Sequence, residues 1–168
     1  MASRQLLSPP RVRRTVSRIA CEIVERNQGR EVIVFGLKRR GVALAEQLAD
    51  ALYALTGQRA EVHPLDVTPF RDDRQGEREA GPPAQPALAE DRDVVLVDDV
   101  LYTGRTARAA LDAVLRYGRP RSVQLAVLID RGHREVPVQP DYVGRVVPTT
   151  HRERVRVELS EPAVYIDE

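Results

Sequence analysis

The run Val94-Val95-Leu96-Val97 constrains this chain more than any other stretch. Four consecutive apolar residues leave no polar face, so as a strand they need cover on both sides. Sheets covered on both sides are mostly parallel, with helices joining their strands. The rest of the chain supplies those helices. From Arg11 to Asn27 apolar residues fall at Val12, Val16, Ile19, Ala20, Ile23 and Val24, and steps of three and four predict a helix closed by Gly29. Glu31 to Phe35 reads as a short buried strand. After the loop Gly36 to Gly41, residues Val42, Leu44, Ala45, Leu48, Ala49, Leu52 and Leu55 give a second helix its apolar face, and Gly57 ends it. Residues 61–67 predict a strand in which Pro64 suits an edge or a bulge. A helix is expected from Arg105 to Tyr117, stopped by Gly118 and Pro120, and Ser122 to Ile129 is a second continuous apolar strand. Tyr142–Val147, Arg154–Leu159 and Ala163–Ile166 are further strand candidates. The expected fold class is α/β: one domain over residues 1–168, built on a mostly parallel twisted sheet flanked by helices.

Between these elements the character changes once. Residues 71–93 hold eleven charges, two glycines and three prolines with few large apolar side chains, which predicts a mobile loop too polar to pack. No apolar run approaches the roughly 20 residues needed to span a bilayer. The basic start "MASRQLLSPPRVRR" is followed by no apolar signal-peptide stretch. Cys21 is the only cysteine, so an internal disulfide is impossible and a cytoplasmic setting is expected. The net charge of +1 decides nothing about nucleic acid, and Lys38 is the only lysine among 26 basic residues.

The apolar run ends on Asp98 and Asp99, and four residues later Thr103-Gly104-Arg105-Thr106 opens a helix. In open α/β sheets ligands bind beyond the carboxyl ends of the strands. A helix N-terminus presents free backbone N–H groups and positive dipole, and hydroxyls, a close-approach glycine and a cation beside it suit a phosphate monoester. Two carboxylates nearby suit vicinal hydroxyls or a magnesium-bound sugar. Lys38, Arg39 and Arg40, three cations between two glycines at another strand end, form a plausible diphosphate clamp. Taken alone, these features have plainer readings: many α/β strands end in Asp before a Thr-capped helix, and a basic turn is often just solvated. No Walker A loop is present, and "GLKRRG" is not the dinucleotide-binding glycine pattern.

"VVLVDDVLYTGRT" resembles the phosphoribosyl diphosphate (PRPP) signature of type I phosphoribosyltransferases. With "ERNQG", "RDD", "GRPRSVQLAVLIDRGHREVP" and "VPTTHRERV", the likeness narrows to pyrimidine-operon regulators that are also uracil phosphoribosyltransferases, from about Arg13 to the last strand. This resemblance implies a small hood region and a flexible active-site loop at about 70–93. It places Asp98 and Asp99 on the ribose hydroxyls. Val100, Leu101 and Tyr102 lead into the cradle Thr103, Gly104, Arg105 and Thr106, and Lys38, Arg39 and Arg40 face the diphosphate. It brings Arg71 to the diphosphate when the loop closes, although Arg71 alone reads equally as a surface charge. It assigns Asp130, Arg131, His133 and Val155 to the base pocket, with His133 also open to a loop-stabilising role. Mg²⁺ would arrive mainly with PRPP, with Asp98 and Asp99 as further ligands. Related purine enzymes often have an acid where Tyr102 stands, and a phenol with an ordinary pKa of about 10 is a poor base near neutrality. That favours a pyrimidine base.

The same resemblance implies two activities: synthesis of UMP from uracil and PRPP, and binding of an RNA stem-loop in a pyrimidine-operon leader, by attenuation or translational control, in response to UMP or UTP. Arg14, Ser17, Arg18 and Cys21 share the outer face of the first helix, with Arg26 nearby, and are the candidate RNA contacts. The family commonly has histidine where Cys21 stands, and cysteine supplies no cationic donor. A homodimer or higher homo-oligomer and no membrane association are expected. The alternative is a salvage nucleobase phosphoribosyltransferase without RNA regulation. In competition at equal concentrations of uracil, hypoxanthine and guanine, uracil is expected to be consumed first. Faster consumption of either purine would contradict the pyrimidine assignment.

Overall fold

The computed structural model describes residues 3–73 and 80–168. Strand β1 (Ser3–Leu7) precedes helix α1 (Pro9–Arg26), which starts two residues before the expected Arg11. Two prolines fit there because the first N–H groups of a helix have no intrahelical partner to lose. Then follow β2 (Val32–Leu37), α2 (Arg40–Thr56), β3 (Glu61–Leu65) and a short 3₁₀ turn, Thr68–Phe70. The second half holds β4 (Asp93–Leu101), α3 (Arg105–Val114) with a 3₁₀ extension through Tyr117, β5 (Ser122–Asp130) and β6 (Tyr142–Val146). The chain ends in β7 (Arg154–Glu158) and β8 (Ala163–Asp167).

Five strands form a parallel sheet in the order β3-β2-β4-β5-β6. Val94–Val97 lies in its central strand and is buried on both faces. Val95 and Val97 pack with the apolar stripes of α1 and α2, and Val94 and Leu96 with Ala107, Ala110 and Val114 of α3. Pro64 lies in β3, an edge strand, where its missing N–H breaks no ladder. The remaining strands form a separate antiparallel sheet, β1-β8-β7, which is the small hood. Among the described residues, no helix is long and apolar enough to cross a membrane.

Three expectations need correction. The central strand does not stop before the carboxylates. β4 continues to Leu101 because β5 runs on beside it, pairing Asp98 with Val127 and Val100 with Ile129, so ladder bonds extend the strand beyond its apolar residues. β1 was not expected, since its exposed, mixed sequence carries no strand signal and it exists by pairing with β8, some 160 residues away in the chain. The loop expected over 71–93 is not uniformly unpacked. Residues 74–79 lie outside the described residues. Further on, Ala89 is fully buried and its N–H donates to Tyr117 O at 2.7 Å, while Asp91 N–H donates to Arg119 O at 3.0 Å. Polar side chains there face water while the backbone is held by the turn after α3.

One close approach positions the later chemistry. A Cβ on Gly41, at the start of α2, would overlap the carbonyl oxygen of Val97 in β4. The missing side chain lets the β2–α2 turn sit directly against the carboxylate end of β4. Gly41→Ala is expected to destabilise the fold by about 1–3 kcal/mol, the usual cost of overpacking. Urea denaturation would measure it.

Candidate active site

Three strand ends converge on one side of the sheet. β2 delivers Lys38, Arg39 and Arg40, and its Gly36 is paired with Val97 immediately before Asp98 and Asp99 in β4. β2 also pairs with β3, Leu37 with Leu65, which brings Asp66, Val67 and Thr68 alongside. These residues, with Arg71, Val100, Thr106 and Val155 of the hood strand β7, line a cleft of about 820 Å³. Asp66, Val67 and Thr68 escaped the sequence reading, although their place just beyond a strand's carboxyl end was a signal that applied equally to them. The peptide bond between Lys38 and Arg39 is cis.

The carboxylates are held differently from ordinary surface acids. Asp98 Oδ1 accepts the N–H of Asp99 at 2.9 Å, and Asp99 Oδ1 accepts the N–H of Val100 at 2.9 Å. Arg40 Nη1 lies 3.8 Å from Asp99 Oδ2. Burial, and then the charge of Asp99 beside it, push the Asp98 carboxyl well above the usual carboxylate range. The neighbouring Arg71 opposes this without reversing it.

The turn after β4 is shaped by the segment that follows β5. Arg131 N–H donates to Leu101 O at 3.0 Å, Arg134 Nη1 to Tyr102 O at 2.9 Å, and Glu135 N–H to Thr103 O at 2.9 Å. Three successive carbonyls are thus tied to one side. Gly104 has φ +88°, and a Cβ there would press on Val136 at 3.0 Å, so the two segments close tightly. The first amides of α3 have no carbonyl behind them in the helix, which leaves a donor-rich end beside Thr103 and Thr106. In the present arrangement Thr106 Oγ1 accepts from Arg71 Nη1 at 2.8 Å. Arg105 is turned outward, to Asp72 and to Glu135, both at 2.8 Å.

Of the four candidate base-pocket residues, Val155 lines the cleft. Asp130, Arg131 and His133 do not line it; their side chains tie neighbouring segments together. Burial pushes the Asp130 carboxyl up, but Arg134 and the Gly132 N–H outweigh it and hold the group below the usual range. The Arg131 guanidinium is buried, lies 4.1 Å over the Tyr102 ring, and donates to Thr149 Oγ1, Thr150 O and Glu153 O. His133 Nε2 donates to Thr149 O at 2.6 Å, and its ring centroid is 4.2 Å from that of His151. Tyr102 completes the group, with its hydroxyl 3.3 Å from His151 Nδ1. Arg134, Thr149 and His151 were not singled out from sequence, because their role is contact between segments distant in the chain.

None of the candidate RNA contacts lines this cleft. Arg14, Ser17, Arg18, Cys21 and Arg26 are all exposed on α1. Two are engaged within the molecule: Arg18 with Glu22 and the carbonyl oxygens of Val143 and Gly144, and Arg26 with Asp141.

Comparison with known proteins bears on the family and the fold. A family model described as a phosphoribosyl transferase domain matches residues 2–160. The bifunctional protein PyrR of a Roseiflexus species is 50% identical over 166 residues, covering 96% of this chain and 90% of that protein. A pyrimidine operon regulatory protein of Lactococcus lactis subsp. cremoris is 44% identical over 162 residues, covering 96% of this chain and 92% of that protein. Among solved structures, the hypoxanthine phosphoribosyltransferase of Trypanosoma cruzi superposes with a TM-score of 0.71 at 20% identity, over 96% of this chain and 95% of that one. At that identity the likeness speaks for the fold.

The raised pKa of Asp98 has a consequence for stability. The folded protein binds the Asp98 proton more tightly than the unfolded chain does. The stability this lends is complete below the unfolded carboxylate pKa and is lost as pH rises through the folded value. Asp98→Asn mimics the protonated group and avoids that loss. Its melting temperature is expected to exceed that of the wild type near neutral pH, with the gap closing as pH falls below the ordinary carboxylate range. A scan of melting temperature against pH would check this, and a gap that widened on acidification would refute it.

Proposed function

The chain belongs to the phosphoribosyl transferase family and, within it, to the PyrR proteins, and from that premise we propose that it transfers the phosphoribosyl group of PRPP to uracil and regulates a pyrimidine operon through its mRNA. The observation that carries the catalytic half is the convergence in one cleft of two carboxylates, a cationic turn and a donor-rich helix start. Each matches one part of PRPP. Asp98 and Asp99 accept hydrogen bonds from the vicinal ribose hydroxyls. Thr103, Gly104, Arg105 and Thr106 receive the terminal phosphate, and Lys38, Arg39, Arg40 and Arg71 receive the diphosphate. Uracil lies between the ribose site and the wall built on Tyr102, Asp130, Arg131 and His133, under Val155.

In the reaction, the bond between the anomeric carbon and the diphosphate oxygen breaks, its electron pair leaving with diphosphate. The ring nitrogen of uracil bonds to that carbon, and its proton passes to the departing diphosphate or to water. Charge builds on the leaving group, where the cations of the β2 turn stand, and the oxocarbenium-like sugar must be kept from water. Positioning and electrostatics therefore carry the catalysis. Hard oxygen donors such as Asp98 and Asp99 fit Mg²⁺. Among the described residues, no group of three or more His, Cys, Asp or Glu side chains could hold a metal by itself. Bound with the diphosphate, Mg²⁺ would neutralise charge on the leaving group. Asp98→Asn combined with Asp99→Asn is expected to reduce UMP formation below detection with circular dichroism unchanged. Near-normal turnover in the double variant would refute the placement of the ribose.

The regulatory half rests on the likeness to PyrR proteins and on the exposed arginine-bearing face of α1. RNA there would take phosphate contacts from Arg14 and, by exchange with its internal partners, from Arg18. Unstacked loop bases would supply specificity. Pairing of two subunits would repeat the patch. A regulator of mRNA working with UMP or UTP belongs in the cytoplasm. Arg14→Ala with Arg18→Ala is expected to weaken binding of the organism's pyrimidine-operon leader and flatten its salt dependence by roughly one unit per lost phosphate contact. UMP synthesis should persist, because α1 lies outside the cleft. Unchanged RNA affinity at every salt concentration would move the RNA site elsewhere. A wild type that ignores the leader, with or without UMP, would leave a salvage enzyme.

A further inference from the structure

We propose that the short segment Arg71–Asp73 is an internal competitor for the phosphate sites, so that ligand phosphates bind by exchange for the carboxylates of Asp72 and Asp73. The proposal rests on the phosphoribosyl reading above and adds a control on that site. The Arg71 guanidinium is held by both oxygens of Asp73, at 2.8 and 2.6 Å, while its remaining nitrogen reaches Thr106 Oγ1 at 2.8 Å. Arg105, in the same turn, donates to Asp72 Oδ2 at 2.8 Å. Two adjacent carboxylates thus occupy two guanidiniums on the phosphate sites, Arg105 at the start of α3 and Arg71 on the cleft side of it. A fork-shaped guanidinium binds carboxylate and phosphate in the same bidentate manner, so one can replace the other.

The segment is arranged for such an exchange. Its root is fixed: Phe70 N–H donates to Val67 O, and Arg108 Nη1 donates to Phe70 O at 3.1 Å. Its acids are more open, with the side chains of Asp72 and Asp73 exposed by 43% and 36%. A phosphate dianion arriving on the turn meets like charges at short range and replaces them on their cations. The carboxylates then move into water. Arg105 keeps Glu135 as a second partner, so it stays beside the turn.

The two acids should act on different ligands. Asp72 masks Arg105, beside the monoester site that UMP and PRPP share. Asp73 masks Arg71, which lines the cleft with Lys38, Arg39 and Arg40 and so faces the diphosphate that PRPP alone carries. The test is calorimetric titration of wild type, Asp72→Asn and Asp73→Asn with UMP, PRPP and uridine. Releasing one exposed ion pair should tighten binding about two- to fivefold. Asp72→Asn is expected to tighten UMP and PRPP alike and leave uridine unchanged. Asp73→Asn is expected to tighten PRPP and not UMP. Both variants should also show a steeper loss of PRPP affinity with salt than the wild type, whose binding trades one ion pair for another. Unchanged or weakened phosphate affinity, or an equal gain for uridine, would overturn the competitor role while leaving the phosphoribosyl site in place. A wild type that binds neither UMP nor PRPP would overturn both.

Discussion

Two carboxylates placed side by side at the end of a buried strand repel each other and lose solvation, and the architecture around this site answers that cost. Asp98 and Asp99 each accept a backbone N–H from the residue that follows. Cations arrive from the β2 turn because Gly41 lets α2 start directly against Val97. The balance is incomplete, since the Asp98 carboxyl stays well above its ordinary range.

The turn after β4 depends on the residues following β5. Carbonyls of Leu101, Tyr102 and Thr103 are all taken by the segment Arg131–Glu135. That segment is fixed in turn by Arg131 and His133 to the stretch leading into the hood. The turn after β4 and the segment after β5 are therefore one interlocked unit. The α1 face is tied to the outer strands: Arg18 holds carbonyls of β6, Asn27 and Gln124 exchange hydrogen bonds between α1 and β5, and β5 ends at Asp130. The candidate RNA face and the segment that shapes the turn after β4 thus share one strand, β5.

Much of the site was legible because its residues lie in short local patterns. Asp98 and Asp99 follow an apolar run, Thr103 to Thr106 open a helix, and Lys38 to Arg40 fill a βα turn. Each pattern carries its own chemistry and place at a strand end. Arg134, Thr149 and His151 carried no such signal. Arg134 matters through Asp130, Tyr102 and Val138, and His151 through Tyr102 and His133, contacts that no local spacing announces. The acids of "RDD" read as loop charges until Asp72 was found on Arg105.

By itself the sequence determined the parallel core, since runs such as Val94–Val97 and Leu125–Ile129 can be buried only between two helical layers. It also determined the chemistry at the strand ends. Tertiary structure alone decided where β4 ends, because Asp98 to Leu101 are extended by pairing with β5 and not by their own apolarity. It alone decided the hood, in which the first and last segments of the chain become neighbouring strands. Hydrophobic periodicity is a local property of a chain, whereas strand pairing and ion pairing across long separations depend on which segments the fold has already brought together.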